Sequence, residues 1–566
     1  MVFLMGCVMG MLCFLWVYGI RVLDPTYDAW LFGREFDLRQ HYIGFCHFRM
    51  SDWHFPIGLI DTLSYPTKVS VLFTDSIPIL ALLFKALRGI LPLRFQYFGI
   101  FGLISFMLMG GISSSFFSAL LRTASVESAF AEEKKDASRF MIRQWADILS
   151  VLMSVFFILG FTVLDRMFYQ TALGAQWILV LAMYIWITRD GYSGKKVVAV
   201  YAGMGALCVL IHVYFVPMVG SILLIASVSS CIRKKSRAGI EASGLLSFCG
   251  TGLLLLFVLG GFYGNTAGAG RGFGGFSSNL NAFFNPLYGS ALLKPLDLYQ
   301  YDQYEGYAYL GIGLIIALIL AMVFLFGKMR KNGLSAFTKA HKWFTVALCV
   351  LVADFLLAVL PTVALGKRGI LVFRYPEVIE KALGIFRANG RFIWVPWYVI
   401  AAGSLLYTLK LLSEYFGKKE KGKAIVLLIM VLILGIQVLD TTKVVSSKQE
   451  YFKSVQTYTS PWDNMPVDVS GSQYREYVYL FNDIEKTMDT AYYAYLNGKS
   501  VNNYYFARSI DNEVNADIEK WRQELSAGIV RDDVVYIRKK QDQIAESYEG
   551  LTWYEIGEDL VAGVKK

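Results

Sequence analysis

The densest cluster of ionisable side chains follows the first hydrophobic segment, at residues Glu35–His41. If this stretch is helical, Asp37 and His41 lie four residues apart on the same face. A carboxylate held there could act as a general base towards a hydroxyl group, while His41 or Arg39 could meet an anionic phosphate. The alternative is a solvated loop in which Asp37 only caps a helix.

Asp75 lies further along the same loop, between Thr74 and an apolar stretch. It could simply cap a helix, because aspartate is a preferred N-cap residue. It also belongs to the loop that carries Asp37, so it could lie at the mouth of the same surface. We therefore predict that Asp75 helps to bind an acceptor.

Two arginines, Arg387 and Arg391, lie four residues apart where a loop re-enters an apolar segment. Their guanidinium forks suit phosphate or diphosphate oxygens. The alternative is structural pairing with acids of neighbouring loops. Arg271, in a glycine-rich stretch, is a weaker member of the same predicted anion site.

Asp302, Glu305 and Tyr307 combine acids and an aromatic ring at the start of a later apolar segment. Sugar rings stack on aromatic faces and hydrogen-bond to carboxylates, so this stretch predicts a sugar-binding surface. The alternative is a belt of tyrosines at a membrane interface.

A membrane domain must position these candidates. Of the 566 residues, 55% are hydrophobic and only 17% are charged, whereas a soluble globular chain is usually about 25% charged. Apolar runs of roughly 17 to 25 residues, long enough to cross a bilayer as helices, recur from Val2 to Val438. The net charge of +10 comes from short basic loops between these runs and does not indicate a nucleic-acid site.

The distribution of lysine and arginine predicts the topology. With the basic loops in the cytoplasm, the N-terminus lies inside, the C-terminus lies outside, and about eleven transmembrane helices are expected near residues 2–20, 96–120, 146–164, 171–188, 197–213, 214–232, 243–263, 307–327, 343–361, 392–411 and 424–440. Residues 75–91 are also apolar, but a crossing there would place the basic loop 122–143 outside. We expect them to form a re-entrant or surface-lying helix.

This topology places four long pieces on the outer face: 21–95, 264–306, 362–391 and 441–566. The chain then divides into a transmembrane domain, 1–440, and an extracytoplasmic C-terminal domain, 441–566. Alternating strand-like and helical patterns predict that the second domain is small and α/β or α+β. The predicted fold is an all-α polytopic membrane protein with a large first outer loop and this added domain.

Several blocks carry a resemblance to a known family: FDLRQHYIGFCHFR, DWHFPIGL, FTDSIPILALLFKAL, NLNAFFNP and FRANGRFIW. Over roughly residues 1 to 440 the chain resembles a bacterial family of multipass membrane proteins placed in the GT-C glycosyltransferase superfamily. The resemblance implies a GT-C-like fold in a bacterial cytoplasmic membrane. It also implies a polyprenyl-phosphate-linked sugar donor, an envelope glycan or lipid-linked acceptor, and inverting transfer on the outer face.

The superfamily carries a catalytic carboxylate in its first outer loop, and this matches Asp37 best. Many members have two adjacent acids, whereas Leu38 follows Asp37 here. The resemblance therefore leaves the second acid open among Glu35, Asp28 and Asp24. Arginines near the later outer loops would hold the lipid phosphate, which matches Arg387 and Arg391.

Other functions remain as alternatives. A transporter or flippase of lipid-linked saccharides would place acids and arginines at mid-membrane depth, where Asp354 is the main example here. A polymerase would share an outward site but would take a lipid-diphosphate oligosaccharide. No metal ligand set and no certain cofactor are predicted. A divalent cation is compatible, although the first loop has no Asp-x-Asp pair. The predicted partners are the donor, the acceptor and the bilayer.

Overall fold

Long apolar helices make up most of the chain in the computed structural model. The structure describes residues 1–33, 36–123, 136–264, 273–332, 342–376, 378, 383–416, 420–508, 510–542 and 548–566. Two predicted site residues, Glu35 and Arg271, lie outside the described residues.

The helices of the first four-fifths of the chain differ widely in length. They are α1 (Val2–Tyr18), α2 (Phe36–Met50), α3 (Pro78–Ala86), α4 (Phe98–Thr123), α5 (Asp136–Ile158), α6 (Phe161–Arg166), α7 (Trp177–Thr188), α8 (Gly194–Ile211), α9 (Phe215–Ile232), α10 (Ala238–Val258), α11 (Ile312–Asn332), α12 (Lys342–Val359), α13 (Trp394–Phe416) and α14 (Glu420–Lys453). Two short antiparallel hairpins lie between them, β1 (Leu59–Ile60) with β2 (Val69–Ser70) and β3 (Thr362–Leu365) with β4 (Arg368–Val372).

Among the described residues, eight helices are long and apolar enough to cross a membrane. They are Phe98–Thr123, Thr171–Gly191, Gly194–Ile211, Phe215–Ile232, Ala238–Val258, Ile312–Lys331, Asn389–Phe416 and Lys421–Lys453. Three shorter apolar helices, Val2–Tyr18, Gln144–Ile158 and Val346–Val359, lie at the other three expected positions. The architecture is that of a polytopic membrane protein, and the count of eleven crossings stays a prediction.

The apolar stretch 75–91 forms a helix of only nine residues, α3. At about 1.5 Å per residue such a helix is about half as long as the hydrocarbon core is thick, so it cannot cross. Its one buried cation, Lys85, lies with Nζ 4.1 Å from the ring centre of Phe48 and 4.6 Å from that of Trp53. These contacts hold α3 against the end of α2 and the residues that follow it, as expected for a re-entrant or surface-lying helix.

Small residues bring α1 and α4 into close contact. A Cβ atom added at Gly6 would lie 2.2 Å from the carbonyl oxygen of Gly110, and one at Gly10 would lie 2.0 Å from that of Phe106. Glycine at these positions lets the two backbones approach, a common packing solution in membrane helices. The first loop, which joins α1 to α4, is thereby tied at both ends.

A small α/β domain follows the bundle. Helix α14 continues across the predicted boundary at residue 440 as far as Lys453. The domain contains β5 (Glu476–Tyr479), α15 (Met488–Leu496), β6 (Ser500–Val501), α16 (Asp511–Ser526), β7 (Val534–Lys539), β8 (Leu551–Ile556) and β9 (Leu560–Lys565). Its sheet has the order β6-β5-β7-β9-β8, parallel across the first three strands and antiparallel in the last two pairings.

The C-terminal domain docks on the first loop through backbone and side-chain hydrogen bonds. The Val501 amide donates to the carbonyl oxygen of Thr62, and the Tyr65 amide donates to that of Val501, both at 2.9 Å. His47 Nε2 lies 2.8 Å from the carbonyl oxygen of Ala491 in α15. The loop 21–95 is therefore enclosed between the bundle and the C-terminal domain.

Candidate functional site

A cavity of about 410 Å³ lies where the first loop, the segment before α13 and the C-terminal domain meet. Its polar lining comprises Asp37, Gln40, His41, Asp75, Gln170, His212, Tyr214, Arg387, Arg391, Tyr505 and Arg508. Its apolar lining includes Val209, Val213, Val216, Leu256, Phe262 and Ile385. One space thus offers carboxylates and guanidinium groups beside a hydrophobic wall.

Asp37 lies in the first turn of α2 and reaches the cavity half-buried. Its Oδ2 accepts a hydrogen bond of 2.8 Å from Nε2 of Gln170. The other end of the amide, Gln170 Oε1, accepts from Arg391 at 2.9 Å and from Arg166 at 2.7 Å. The neutral amide therefore joins the carboxylate to two arginines without a direct ion pair.

Glu305 belongs to the same network and contacts both arginines. Its Oε2 lies 3.0 Å from Nε of Arg391 and 3.1 Å from Nη1 of Arg166. Burial by itself would raise the pKa of Glu305, but the two arginines outweigh it and lower the pKa to about 2. Glu305 is thus an ionised, buried acid that orients Arg391. Its predicted sugar-binding role is not supported by this placement, because its carboxylate is occupied by the arginines and is absent from the cavity lining.

Asp75 lies on the cavity wall between two histidines. Its carboxylate oxygens are 3.3 Å from Nε2 of His212 and 3.8 Å from Nε2 of His41. Burial would raise the pKa of Asp75, yet the histidines hold it well below its usual range. Burial lowers the pKa of His41, more than the neighbouring carboxylates raise it. The structure brings Asp75, His41 and Asp37 together in the lining of one cavity, and the predicted role of Asp75 in binding an acceptor stays a prediction.

The backbone around Asp75 is strained. Asp75 has φ 50° and Ile77 has φ 53°, a conformation that is unusual for a β-branched residue and costs on the order of 1–3 kcal/mol. Hydrogen bonds from Ser76 Oγ to the carbonyl oxygen of His41 at 2.7 Å, and between Thr74 and Ser76 hydroxyls at 2.8 Å, hold the turn. Backbone strain held in this way is typical of functional sites.

Arg387 and Arg391 reach the cavity from the segment that precedes α13. Nη2 of Arg387 donates to the hydroxyl of Tyr505 at 3.3 Å. The Arg391 guanidinium lies 4.7 Å from the ring centre of Tyr214, whose hydroxyl accepts from the Ala388 amide at 2.9 Å. The two arginines thus both line the cavity. Arg391 is also paired with Glu305, which is the structural role that the sequence left open as the alternative to phosphate binding.

Asp24, Asp28 and Arg39 lie outside the cavity lining. Asp24 is exposed and accepts hydrogen bonds from Thr26, and Asp28 is buried and accepts from Tyr42 at 3.0 Å. Arg39 follows Asp37 by two residues on a helix, so it points to the opposite side. Its guanidinium donates to the carbonyl oxygen of Phe32 and lies 3.7 Å from Asp489 of the C-terminal domain.

Asp302 and Tyr307 also lie away from the cavity lining. The Tyr307 hydroxyl donates to the carbonyl oxygen of Pro286 at 3.2 Å, and its ring stacks on that of Tyr288. Tyr307 is therefore a packing residue at the bundle edge. The sugar-binding surface predicted for this stretch does not coincide with the cavity.

Six polar or aromatic lining residues were not among the predicted site residues: Gln40, Gln170, His212, Tyr214, Tyr505 and Arg508. Gln170 and His212 lie in short turns between apolar segments, where a single polar residue carries little signal. Tyr505 and Arg508 belong to a domain in which no catalytic cluster was evident. A lone arginine among aromatics, YYFAR, is the only pattern that points to them.

No group of three or more histidine, cysteine, aspartate or glutamate side chains is arranged to hold a metal ion within the part of the chain that the structure describes. Asp75, His41 and His212 lie close together in the cavity lining. Their separations of 3.3 and 3.8 Å are those of ion pairs and hydrogen bonds.

Two family models match the chain. Residues 7–442 match a domain of unknown function, DUF6311, and residues 467–564 match the DUF6311 C-terminal domain. A comparison with curated proteins found no match. The second match covers the α/β domain that supplies Tyr505 and Arg508. Since the first match alone spans well over half of the sequence, the chain belongs to the DUF6311 family.

Proposed function

We propose that this protein is a membrane glycosyltransferase that transfers a sugar from a polyprenyl-phosphate donor to an envelope glycan or a lipid-linked acceptor. The observation that carries the proposal is the cavity, which combines Asp37 with Arg387 and Arg391 beside an apolar wall. A lipid-linked phosphosugar needs the same combination: a base, a phosphate site and a groove for an isoprenoid tail. The resemblance to the GT-C superfamily supports the same function.

The proposed reaction is a direct displacement. Gln170 holds Oδ2 of Asp37, while Oδ1 accepts no hydrogen bond from the residues that the structure describes. Asp37 takes the proton of the acceptor hydroxyl as its oxygen attacks the anomeric carbon. The bond from that carbon to the phosphate oxygen breaks, and the polyprenyl phosphate leaves with an additional negative charge. Arg387 and Arg391 stabilise this developing charge, and attack from the opposite face inverts the anomeric centre.

The proposed topology has eleven crossings in a bacterial cytoplasmic membrane, with the N-terminus inside and the cavity and C-terminal domain outside. Support comes from the contacts among the long pieces. The amide of Leu280 donates to Ala364, that of Gly390 donates to Phe276, and that of Ala507 donates to Phe73, at 2.9 Å each. Segments that touch in this way lie on one face of the bundle.

A transporter or flippase, and a polymerase of lipid-linked saccharides, are the alternatives. The clustering of acids and arginines in one cavity among the loops favours an enzyme over a transport pathway through the bundle. Asp354 is buried within the apolar helix Val346–Val359 and is the feature that a transporter would use. A polymerase would differ in its donor, which would carry a diphosphate.

The test is a transfer assay with radiolabelled polyprenyl-phosphate sugars and the purified protein in lipid. Asp37→Asn keeps the shape of the side chain and removes the base, so we expect a loss of transfer of about 10²–10⁴-fold. Asp52→Asn is the matched control, because Asp52 is an exposed acid of the same loop outside the cavity. This control should retain wild-type activity.

Transfer by Asp37→Asn at the wild-type rate would remove Asp37 from the role of base. A folded wild-type protein that uses no monophosphate donor would contradict the proposed donor class. Incorporation from a lipid-diphosphate oligosaccharide instead would identify a polymerase.

A further inference from the structure

The segment of the C-terminal domain that follows β6 lies along the rim of the cavity. The hydroxyl of Tyr504 donates to the carbonyl oxygen of Gln40 at 3.0 Å, and the Ala507 amide donates to that of Phe73 at 2.9 Å. Gln40 Nε2 in turn lies 3.4 Å from the carbonyl oxygen of Tyr505. These bonds join residues more than 430 positions apart in the chain and fix the segment 504–508 over the first loop.

Arg508 is the last residue of this segment and it lines the cavity. Its guanidinium lies 5.6 Å from the ring centre of Phe73. Within the described ranges, no carboxylate lies within ion-pair distance of Arg508. Arg391, in contrast, is bonded to Glu305. A partly desolvated cation that lacks a carboxylate partner is stabilised when an anion binds beside it.

The charges around the cavity agree with an anionic occupant. Arg387 and Arg391 reach it from the segment before α13, and Arg508 reaches it from the C-terminal domain. Asp37 is hydrogen-bonded to Gln170 and Asp75 lies between two histidines, and among the described residues neither carboxylate forms an ion pair with Arg508. Arginine forks that approach from two sides are well suited to the several oxygens of a phosphate group.

We propose that Arg508 binds the phosphate group of the isoprenoid-linked donor, so that the anion site is shared between the transmembrane domain and the C-terminal domain. The identity of the ligand rests on the proposed function. The proposed site is incomplete without the docked domain, and the hydrogen bonds that join the segment 504–508 to Gln40 and Phe73 keep Arg508 at the cavity. Arg508 also faces the charge that develops on the leaving phosphate.

The test measures binding separately from transfer. The full-length protein in nanodiscs of zwitterionic lipid is titrated with farnesyl phosphate, with farnesol and with inorganic phosphate. We expect Arg508→Gln to weaken farnesyl phosphate binding by about 10- to 100-fold, the loss expected for a charge-assisted hydrogen bond. Farnesol binding should not change, and Arg508→Lys should retain part of the affinity because it keeps the charge.

Arg475→Gln is the matched control. Arg475 also belongs to the C-terminal domain and also lies over an aromatic ring of the first loop, at 5.8 Å from the centre of Tyr65, but outside the cavity. Its substitution should leave all three titrations unchanged. Hydrogen exchange of α15 in each variant shows whether the domain stays docked.

Unchanged farnesyl phosphate affinity in a docked Arg508→Gln variant would overturn the inference, even if the wild type transfers sugar. Equal wild-type affinity for farnesyl phosphate and farnesol would overturn it as well. Inorganic phosphate binding as tight as farnesyl phosphate binding would also contradict it, because the ligand would then be a free anion. Conversely, Arg508-dependent binding without transfer from any monophosphate donor would support the shared anion site and refute the proposed reaction.

Discussion

At the scale of single residues, the neutral side chain of Gln170 is what couples the cavity's acid to its cations. A direct contact between Asp37 and Arg391 would neutralise both groups. The amide instead donates to Asp37 and accepts from Arg391 and Arg166. The carboxylate therefore stays available to a hydroxyl, and the arginine stays available to an anion.

Glu305 provides a residue-scale prediction about stability. Glu305→Gln would leave Arg166 and Arg391 buried without their shared carboxylate. We expect a loss of about 3–5 kcal/mol in the free energy of unfolding, the usual cost of breaking a buried ion pair. The measurement is chemical or thermal unfolding of the purified protein in detergent.

The control for this prediction is Asp297→Asn, which breaks an exposed pair with Lys367. Exposed pairs contribute about 0–1 kcal/mol, so this variant should unfold almost as the wild type does. Equal effects of the two substitutions would show that the Glu305 network does not hold the fold.

At the scale of elements, one face of α2 lines the cavity and another face contacts the C-terminal domain. Asp37 and His41, one helical turn apart, line the cavity. Arg39 and His47 turn to the C-terminal domain, where they meet Asp489 and Ala491. A single helix therefore positions the proposed base and receives the domain that completes the cavity.

We predict that acid weakens the docking of the C-terminal domain on α2, because His47 lies at this contact. Burial lowers the pKa of His47 to about 4, despite the hydrogen bond to Ala491. Because the pKa is lower in the folded state than the unfolded value of 6.5, the neutral ring stabilises docking fully above pH 6.5. As the pH falls from 6.5 towards 4, the contribution of His47 to the free energy of docking decreases by at most about 1.4 kcal/mol for each pH unit.

The measurement is hydrogen exchange of α15 between pH 7 and pH 4, after correction for the intrinsic pH dependence of exchange. Protection should decrease in the wild type. His47→Gln keeps a donor for the Ala491 carbonyl but does not titrate, so its protection should stay nearly constant. His54→Gln, outside the docked contact, should behave as the wild type does, and a wild type without pH dependence would refute the assignment.

At the scale of the whole molecule, the cavity exists because several distant segments assemble on one face of the bundle. Its lining includes residues of α2, the turn before α3, the turn before α7, the turn between α8 and α9, the segment before α13 and the C-terminal domain. Under the proposed topology this face is outside the cell, next to the headgroups. A lipid-linked donor and a polar acceptor could then reach the same space from the bilayer and from the periphery.

The proposed orientation can be tested by cysteine labelling in intact cells with a membrane-impermeant maleimide. Ser526→Cys, on the exposed face of α16, should be labelled without permeabilisation. Lys235→Cys, in the exposed basic loop after α9, should be labelled only after permeabilisation. The wild-type protein supplies the background from its native cysteines, and the reversed pattern would invert the topology.

Some features of this protein follow from the sequence by itself. Apolar runs predict membrane helices because a helix that crosses a bilayer must be long enough and apolar enough within one continuous stretch of sequence. Eight helices of the described residues meet both conditions, as predicted. Helical spacing also placed Asp37 with His41, since i and i+4 share a face of α2.

Only the tertiary structure decided which of these groups meet. Asp37 contacts Gln170 across 133 positions of sequence, and Arg387 contacts Tyr505 across 118. Local pattern carries no information on such pairings, because they depend on how helices and domains pack. The same packing placed Asp28 against the hydroxyl of Tyr492 and Arg39 near Asp489, both in the C-terminal domain. It also paired Glu305 with Arg391 and brought Arg508 into the cavity.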